Sequence, residues 1–530
     1  MKTKTLVQAT MITLVVTLSG SLLGFFRDLF LARYFGADGG TDAFLVSWTV
    51  PETAFALVVE GGMSLLMIPL FSRAVSARKV VASTFPPIVA VLIGLSALTF
   101  LCAPLVVSAL APGLADPALA VTCTRLTSIT VLTFGIAGYV SAALRANNVF
   151  GAPAAIHLAY NVGILGLMWT LHGPLGVVSA AAGVALGSVF MVLVQLPSFL
   201  RHVGLPRSWR ATGAGIALGA IGPIMIYTLL RQAQVFVERF LGSSLAEGTI
   251  SHLNYAQKVA QIPMLVALLI CTVTFPTLAR SMAAGEAEEA RKRLEGDLRT
   301  VTALIFVATA YLVVFAPDIV HVLLEHGEFT AADTAATAGI MRVYALGLLG
   351  HVLVTALSRP FFAGRGRNWY PAMAMGAGLA VTAVFAAIGV RYFGAYAIAA
   401  ANGIVITTAA VLLLTGLRDQ MAQSSVRSGA VAGLRTAQSS VRSGAVAGLR
   451  TAISLPSVGG AVLRLALAAG GAGVAGWFAQ RLMGGWPVPV VVVAGGVLVL
   501  IVFAGLARLA GVDEATTVAA QVKRRIRHGR

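Results

Sequence analysis

The hydrophobic positions of this chain fall in long unbroken blocks separated by short polar stretches. The blocks lie at about 5–34, 42–72, 81–111, 119–144, 153–171, 175–200, 213–241, 249–279, 300–324, 334–358, 370–390, 394–416, 456–480 and 486–508. About 18 or more apolar residues are what a helix needs to cross a hydrocarbon core of roughly 30 Å. Only helices and closed barrels pair all their backbone groups in lipid, and barrel strands alternate apolar and polar positions. The continuous blocks therefore predict an all-α membrane protein of about 14 transmembrane helices. Several blocks exceed 20 residues, the length of tilted helices or helices that project beyond the bilayer.

The breaks between blocks carry an orientation signal. Basic residues gather at the N-terminus (Lys2, Lys4), in the second break (Arg73, Arg78, Lys79), the fourth (Arg145) and the sixth (Arg201, Arg207, Arg210). They recur in the eighth (Arg280, Arg291, Lys292, Arg293, Arg299), the tenth (Arg359, Arg365, Arg367), the twelfth (Arg418, Arg427, Arg435, Arg442, Arg450) and the tail (Lys523, Arg524, Arg525, Arg527, Arg530). The odd breaks are poor in Lys and Arg, and two carry acid instead: Asp116, and the set Asp318, Glu325, Glu328 and Asp333. The positive-inside rule then predicts both termini and every even loop in the cytoplasm. A wrong helix count would break the alternation. The first block, after a short basic N-terminus without a plausible cleavage site, reads as a helix and not as a cleaved signal.

Composition fits this picture. Of 530 residues, 58% are hydrophobic and 11% charged, against about 25% charged in soluble domains. A net charge of +18 would suggest nucleic acid in a soluble protein; here loop charge accounts for it, and no nucleic-acid partner is expected. Cys102, Cys123 and Cys271 lie in or beside apolar blocks without CxxC spacing, so neither a disulfide framework nor a metal site is expected.

The expected organisation is an N-lobe over 1–203 (helices 1–6), a C-lobe over 204–417 (helices 7–12), a basic linker over 418–455, a helix pair over 456–510 and a basic tail over 511–530. Two six-helix lobes around a central cavity are a common transporter plan. The linker holds one tandem duplication: Ala422 to Thr436 (AQSSVRSGAVAGLRT) recurs as Ala437 to Thr451. Two copies of 15 residues are too few for a solenoid; a basic surface helix is one form for this segment.

Soluble chemistry is not signalled. There is no GxxxxGK[ST] loop and no HExxH, and no cofactor is expected. A GxGxxG spacing at Gly471–Gly476 and a GxxxG at Gly20–Gly24 lie inside helices, where small residues serve close packing. A membrane enzyme is disfavoured.

Ionisable residues within the spans are the candidate site, because charge in lipid is expensive and faces a cavity or a partner. The first two helices hold Arg27, Asp28, Arg33, Asp42, Glu52 and Glu60; helix 7 holds Arg231, Glu238 and Arg239; helix 8 holds His252 and Lys258; helix 10 holds Arg342 and His351. Arg27 and Asp28 are adjacent and so project about 100° apart, which argues against a side-by-side pair. Arg33 and Asp42, near the outer ends of helices 1 and 2, read as a tie at a turn. Glu60 before Gly61-Gly62 reads as a functional acid at a bend. Arg231 and Arg239 fit either a cationic cavity or local pairing with Glu238. A cavity lined by Arg27, Lys258 and Arg231 suits a large anionic substrate, above all a diphosphate.

The segment Gly24 to Arg73, GFFRDLFLARYFGADGGTDAFLVSWTVPETAFALVVEGGMSLLMIPLFSR, resembles the opening of the MurJ (MviN) family. GTISHLNYAQKVAQIP and FPTLAR, within Glu247 to Arg280, resemble that family's helix 8. HGEFTAADTAATAGIMRVYALGLLG and RPFFAGRGRNWYP, within His326 to Pro371, resemble its helix 10 and the following loop. The resemblance implies a member of the multidrug/oligosaccharidyl-lipid/polysaccharide (MOP) exporter superfamily. It implies a flippase that moves lipid II, or a related polyprenyl-diphosphate-linked saccharide, to the periplasmic leaflet by alternating access.

Carried over by position, the matched residues are Arg27, Asp28, Asp42, Glu60 and Lys258. Arg27 and Lys258 are expected to contact substrate, with Arg231 a further candidate from helix 7, while Asp28, Asp42, Glu60, Arg33 and Glu52 are expected to serve gating or pairing. The chain departs from the family at Ser21, Phe55 and Ala56, where relatives carry arginines, at Glu52, at Gln257 and at Lys258, where arginine is usual. The departures thin the cationic set and keep another undecaprenyl-linked glycan, such as an exopolysaccharide precursor, as the alternative substrate. A cation-coupled drug exporter and a non-transporting scaffold are lesser alternatives. Some relatives bind sodium through acids in helices 7 and 11. Block 370–390 has no acid, so that site is not expected.

Overall fold

The protein is described here by a computed structural model covering residues 3–73, 76–205, 222–267, 287–363, 369–433 and 455–511. The described secondary structure is helical throughout. In chain order it comprises α1 (Thr3–Phe35), α2 (Gly39–Ala54), a π-helical stretch (Phe55–Gly62), α3 (Met63–Arg73), α4 (Ala77–Leu101), α5 (Ala103–Leu110), α6 (Pro117–Thr127), α7 (Ile129–Ala146), α8 (Gly151–Ala154), α9 (Ile156–Leu175), α10 (Val178–His202), α11 (Gly222–Gly242) and α12 (Thr249–Ala260). There follow α13 (Ala287–Leu324), α14 (Ala331–Ala363), α15 (Tyr370–Phe393), α16 (Ala395–Gly433), α17 (Leu455–Leu482) and α18 (Val488–Leu509). Two compact units divide the chain: Met1–Tyr255 with Leu323–Asp333, and Ala256–Val322 with Thr334–Arg530.

Ten helical spans among the described residues are long and apolar enough to cross a membrane. The expected number of 14 is therefore not reached by this measure. The blocks at 5–34, 153–171, 213–241 and 249–279 correspond to α1, α9, α11 and α12, and none of these is among the ten spans. Polar residues dilute two of them. Helix α9 carries His157, Asn161 and His172, and α11 carries Arg231, Glu238 and Arg239. Helix α12 has 12 residues, and the rest of its block lies largely outside the described residues, as does Cys271.

Small residues set the helix crossings. A Cβ on Gly163 of α9 would lie 2.5 Å from Gly187 Cα of α10, and one on Gly20 of α1 would lie 2.6 Å from His157 Cβ of α9. In the second unit a Cβ on Gly347 of α14 would meet Gly403 Cα of α16 at 2.7 Å. The GxGxxG stretch packs in the same way: a Cβ on Gly471 would meet Leu506 of α18 at 2.6 Å, and one on Gly476 would meet Val499 at 2.9 Å. In lipid, where helices gain nothing by hiding apolar surface from water, such close approach drives association.

Prolines interrupt several spans, and each removes the N–H that would have bonded the carbonyl four residues earlier. The freed oxygen finds another donor. Pro51 frees Ser47 O, which accepts from Thr127 Oγ1 of α6 at 3.4 Å. Pro317 frees Val313 O, which accepts from Arg342 Nε of α14 at 3.0 Å. Helix α13 is kinked nearby, at Phe315 (φ −93°, ψ 18°).

The basic linker is described only to Gly433. There α16 continues as helix into the first copy of the duplication; the second copy and the C-terminal tail lie outside the described residues.

Candidate functional site

Arg27 sits two turns before the end of α1 with its side chain 11% exposed, and Asp28 beside it is 6% exposed. Contrary to the angular argument from their adjacency, the two pair directly: Arg27 Nη2 and Nε donate to Asp28 Oδ1 at 2.8 and 3.1 Å. The helix fixes where the Cβ atoms point. The long arginine stem then bends the guanidinium sideways across the intervening angle.

Three other residues complete a cage. The Arg27 guanidinium carbon lies 4.1 Å from the Trp48 ring centroid, over the negative face of the ring. Arg27 Nη1 donates to Asn161 Oδ1 at 3.3 Å. Asn161 is oriented by its own amide, which donates to Gly20 O at 3.1 Å and to His157 O at 2.9 Å. Trp48 is held by its Nε1–H, which donates to Tyr160 OH at 3.2 Å. Guanidinium has five N–H donors, and three are used among the described residues.

Phe55 extends the aromatic wall, with its ring edge-on to Phe134 at 5.3 Å and to His157 at 5.5 Å. Sequence reading did not single out Trp48, Tyr160 or Asn161. The signal for Asn161 was present: a carboxamide inside an apolar block is as costly to leave unpaired as a charge is to leave unmatched.

The remaining candidates take distinct places. Asp42, 4% exposed in the first turn of α2, accepts from Gly248 N at 2.9 Å, Ser251 N at 2.7 Å and Ser251 Oγ at 2.5 Å. It thereby caps the N-terminus of α12 from another helix, where a carboxylate is favoured by the orphan amides and the dipole. Around it three turns interlock. Glu328 N donates to Arg33 O at 2.9 Å, Tyr255 OH donates to Gly36 O at 3.1 Å, and His252 Nε2 lies 3.6 Å from Asp333 Oδ1. Gly36, Gly248 and Gly327 all adopt left-handed backbone there. Arg33 takes part through its carbonyl, and its side chain is exposed.

Glu52 is half-buried, and its carbonyl accepts from Gln232 Nε2 of α11 at 3.5 Å. The backbone at Glu60 is π-helical, with Met63 N–H bonding five residues back to Val58 O; the Glu60 side chain lies outside the described residues. Arg231 on α11 is half-buried. Its neighbour Arg239 is buried and donates to Ile250 O and to Asn254 Oδ1, both at 3.3 Å, which makes it a structural tie. Lys258 is half-buried on α12 and belongs to the second unit. Also in that unit, His351 Nε2 and Asn402 Oδ1 are 2.8 Å apart. Cys102 and Cys123 are free thiols, and no group of three His, Cys, Asp or Glu that could hold a metal occurs among the described residues.

The first unit thus combines helices of membrane-crossing length with a half-enclosed cation, and solved structures share this architecture. The chain superposes on a solved lipid II flippase MurJ in an inward closed conformation with a TM-score of 0.73, 19% identity, and coverage of 94% of this chain and 98% of that one. It superposes on an inward-facing multidrug resistance MATE family transporter of the MOP superfamily with a TM-score of 0.66, 14% identity, and coverage of 78% and 98%. The chain shares the fold of these two solved structures.

The family model described as lipid II flippase MurJ matches residues 31–464, and the chain belongs to that family. Among curated relatives, the lipid II flippase MurJ of Burkholderia cenocepacia is 26% identical over 424 residues, 76% of this chain and 82% of the relative. The probable lipid II flippase MurJ of Buchnera aphidicola from Acyrthosiphon pisum is 26% identical over 366 residues, 66% and 71%. The protein is thus a multi-pass membrane protein of a bacterial flippase family.

Proposed function

We propose that this chain is a flippase for a polyprenyl-diphosphate-linked saccharide, with lipid II the leading substrate, carried from the cytoplasmic to the periplasmic leaflet of the inner membrane by alternating access. Membership of the MurJ family over residues 31–464 carries this reading. In this reading the protein is a transporter and not an enzyme, with the membrane and a lipid-linked glycan as its partners and no nucleic acid. Both termini face the cytoplasm in this reading, which rests on the alternation of loop charge. The division into an N-lobe, a C-lobe, a basic linker and an appended helix pair belongs to the same proposal.

Arg27 is the residue assigned to the diphosphate. Its guanidinium has the fork geometry that takes phosphate oxygens. A diphosphate arriving at Arg27 competes with Asp28 for the same cation, so Asp28 sets how tightly the substrate is held and eases its release. Arg231 and Lys258 add positive charge to the substrate path. Asp42, through its cap on α12, and Arg33, through its carbonyl, act in gating together with Glu52 and Glu60.

A specific observation supports the second substrate reading. By the family resemblance arginines are expected where this chain has Ser21, Phe55 and Ala56, and Phe55 is built into an aromatic wall. That thinner cationic set suits another undecaprenyl-linked glycan, such as an exopolysaccharide precursor.

Complementation decides between them. The chain is expressed in bacteria depleted of their own lipid II flippase, and survival and periplasmic exposure of lipid II are followed. Rescue supports lipid II. Failure, with the protein folded in the membrane, excludes lipid II and turns the search to other polyprenyl-linked glycans. Unimpaired transport by Arg27→Ala at normal expression would remove Arg27 from the site.

A further inference from the structure

Arg145 is a cation that the proposed diphosphate site does not use. It lies in the last turn of α7, just before Asn148, whose left-handed backbone (φ 60°) ends the helix. A basic residue in a last turn is favoured by the helix dipole wherever it points. Arg145 differs from an ordinary surface cation in its direction. It is half-buried and reaches into the bundle, where Nη1 donates to Ser64 Oγ of α3 at 3.3 Å. Its other four donors have no partner among the described residues, and no described carboxylate pairs with it. Buried guanidinium normally pairs with an acid.

Arg27 and Arg145 touch one rod, the α2–π–α3 segment, at separate points. Arg27 lies over Trp48. Gln232, next to Arg231, reaches the carbonyl of Glu52. Arg145 reaches Ser64. Trp48 to Ser64 spans on the order of 20 Å of helix. By the loop-charge reading the Ser64 end is the cytoplasmic one, so a substrate entering from the cytoplasm meets Arg145 first and Arg27 last.

We propose that Arg145 is an entry site for a diphosphate headgroup at the cytoplasmic end of the first unit, held ready by Ser64 and occupied before transfer inward to Arg27. The proposal rests on the flippase reading above and adds to it a first binding step and the residue that makes it. A half-buried guanidinium with no acid partner among the described residues is a stronger phosphate ligand than a paired one, because the incoming anion displaces no carboxylate.

The test uses the full chain in nanodiscs of zwitterionic lipid, with inorganic pyrophosphate as probe. In an Arg27→Ala background, pyrophosphate binding persists and is weakened about tenfold by a further Arg145→Gln, the loss expected for one charge-assisted contact; Arg145→Lys recovers part of it. In vesicles containing lipid II, Arg145→Gln raises the half-saturating substrate concentration about tenfold, with a smaller fall in maximal rate.

No pyrophosphate binding in the Arg27→Ala background, or binding indifferent to Arg145, overturns the proposal. So does a result in which Glu60→Gln and Arg145→Gln lower thermal stability equally and leave affinity intact, which makes Arg145 a structural partner of Glu60. Phosphatidylglycerol that competes away the pyrophosphate reassigns the site to ordinary lipid headgroups and overturns the diphosphate assignment. Binding through Arg145 in a chain that flips no lipid II leaves the entry site standing and removes the lipid II reading alone.

Discussion

The carboxylate of Asp42 and the backbone amide of Ser251 meet at 2.7 Å, across 209 positions of sequence. Together with the contacts to Gly248 N and Ser251 Oγ, this joins the first turn of α2 to the first turn of α12. Replacing Asp42 by Ala leaves two buried amides without an acceptor. The expected loss is about 2–3 kcal/mol, read as a fall in the thermal unfolding midpoint of the purified protein. Asp42→Asn falls by nearly as much, because a carboxamide offers one acceptor oxygen where two are used. An unchanged midpoint for both variants would show that the cap contributes nothing.

Trp48 fixes the plane of the Arg27 guanidinium from a centroid distance of 4.1 Å. Trp48→Leu removes the ring face, and the cation–π interaction of about 1–2 kcal/mol with it. The half-saturating substrate concentration then rises roughly tenfold. Trp48→Phe retains a ring face and forfeits only the hydrogen bond to Tyr160, so the rise is several-fold smaller. Equal effects from the two variants would contradict a role for the ring face.

Gly248 and Gly394 separate conformational strain from steric conflict. Both have positive φ, 81° and 52°, but a Cβ on Gly248 would lie 2.3 Å from Ala37 O, whereas Gly394 has open space around it. Gly394, at φ 52° and ψ −130°, lies outside the αL basin, and Gly394→Ala costs about 1–3 kcal/mol of backbone strain. Gly248→Ala costs that and the displacement of a backbone carbonyl, and unfolds at a distinctly lower temperature than Gly394→Ala. Identical midpoints would refute the distinction.

Phe315 at the kink of α13 seats its ring against Gly495 of α18, where an added Cβ would lie 2.2 Å from Cζ. Gly495→Ala therefore destabilises the docking of α18 on α13, and Phe315→Leu in the same chain relieves the clash. The double variant is expected to be more stable than the sum of the singles predicts, with a coupling of about 1 kcal/mol or more. Strict additivity would place the two residues out of contact.

The spans could be read because apolar length in lipid has one structural solution, and the small-residue crossings because only glycine and its like permit such approach. The partners of the charges could not be read in the same way. Angular spacing describes Cβ directions, and Arg27 escaped it because its guanidinium lies several bonds beyond Cβ. The partner of Asp42 is a helix terminus two hundred residues away, which no local pattern encodes. Arg342 was partly legible: Pro317 announces a free carbonyl at Val313, and an arginine on the next helix is a natural donor for it. Glu60-Gly61-Gly62 indicated a disturbed helix but not that the disturbance is a change of hydrogen-bond register.

That register change has a consequence for how the chain tolerates insertion and deletion. Over Phe55–Gly62 the backbone bonds five residues back, so the stretch holds an extra residue compared with an α-helix making the same turns. Removing one residue there restores ordinary α geometry and leaves Met63, Ser64 and all that follows facing the same neighbours. The same deletion in α7 or α10 would rotate the remainder of the helix by about 100°. A length change in the second span should therefore be viable between Phe55 and Gly62 and lethal a few turns away, and gaps between this chain and its relatives should settle there.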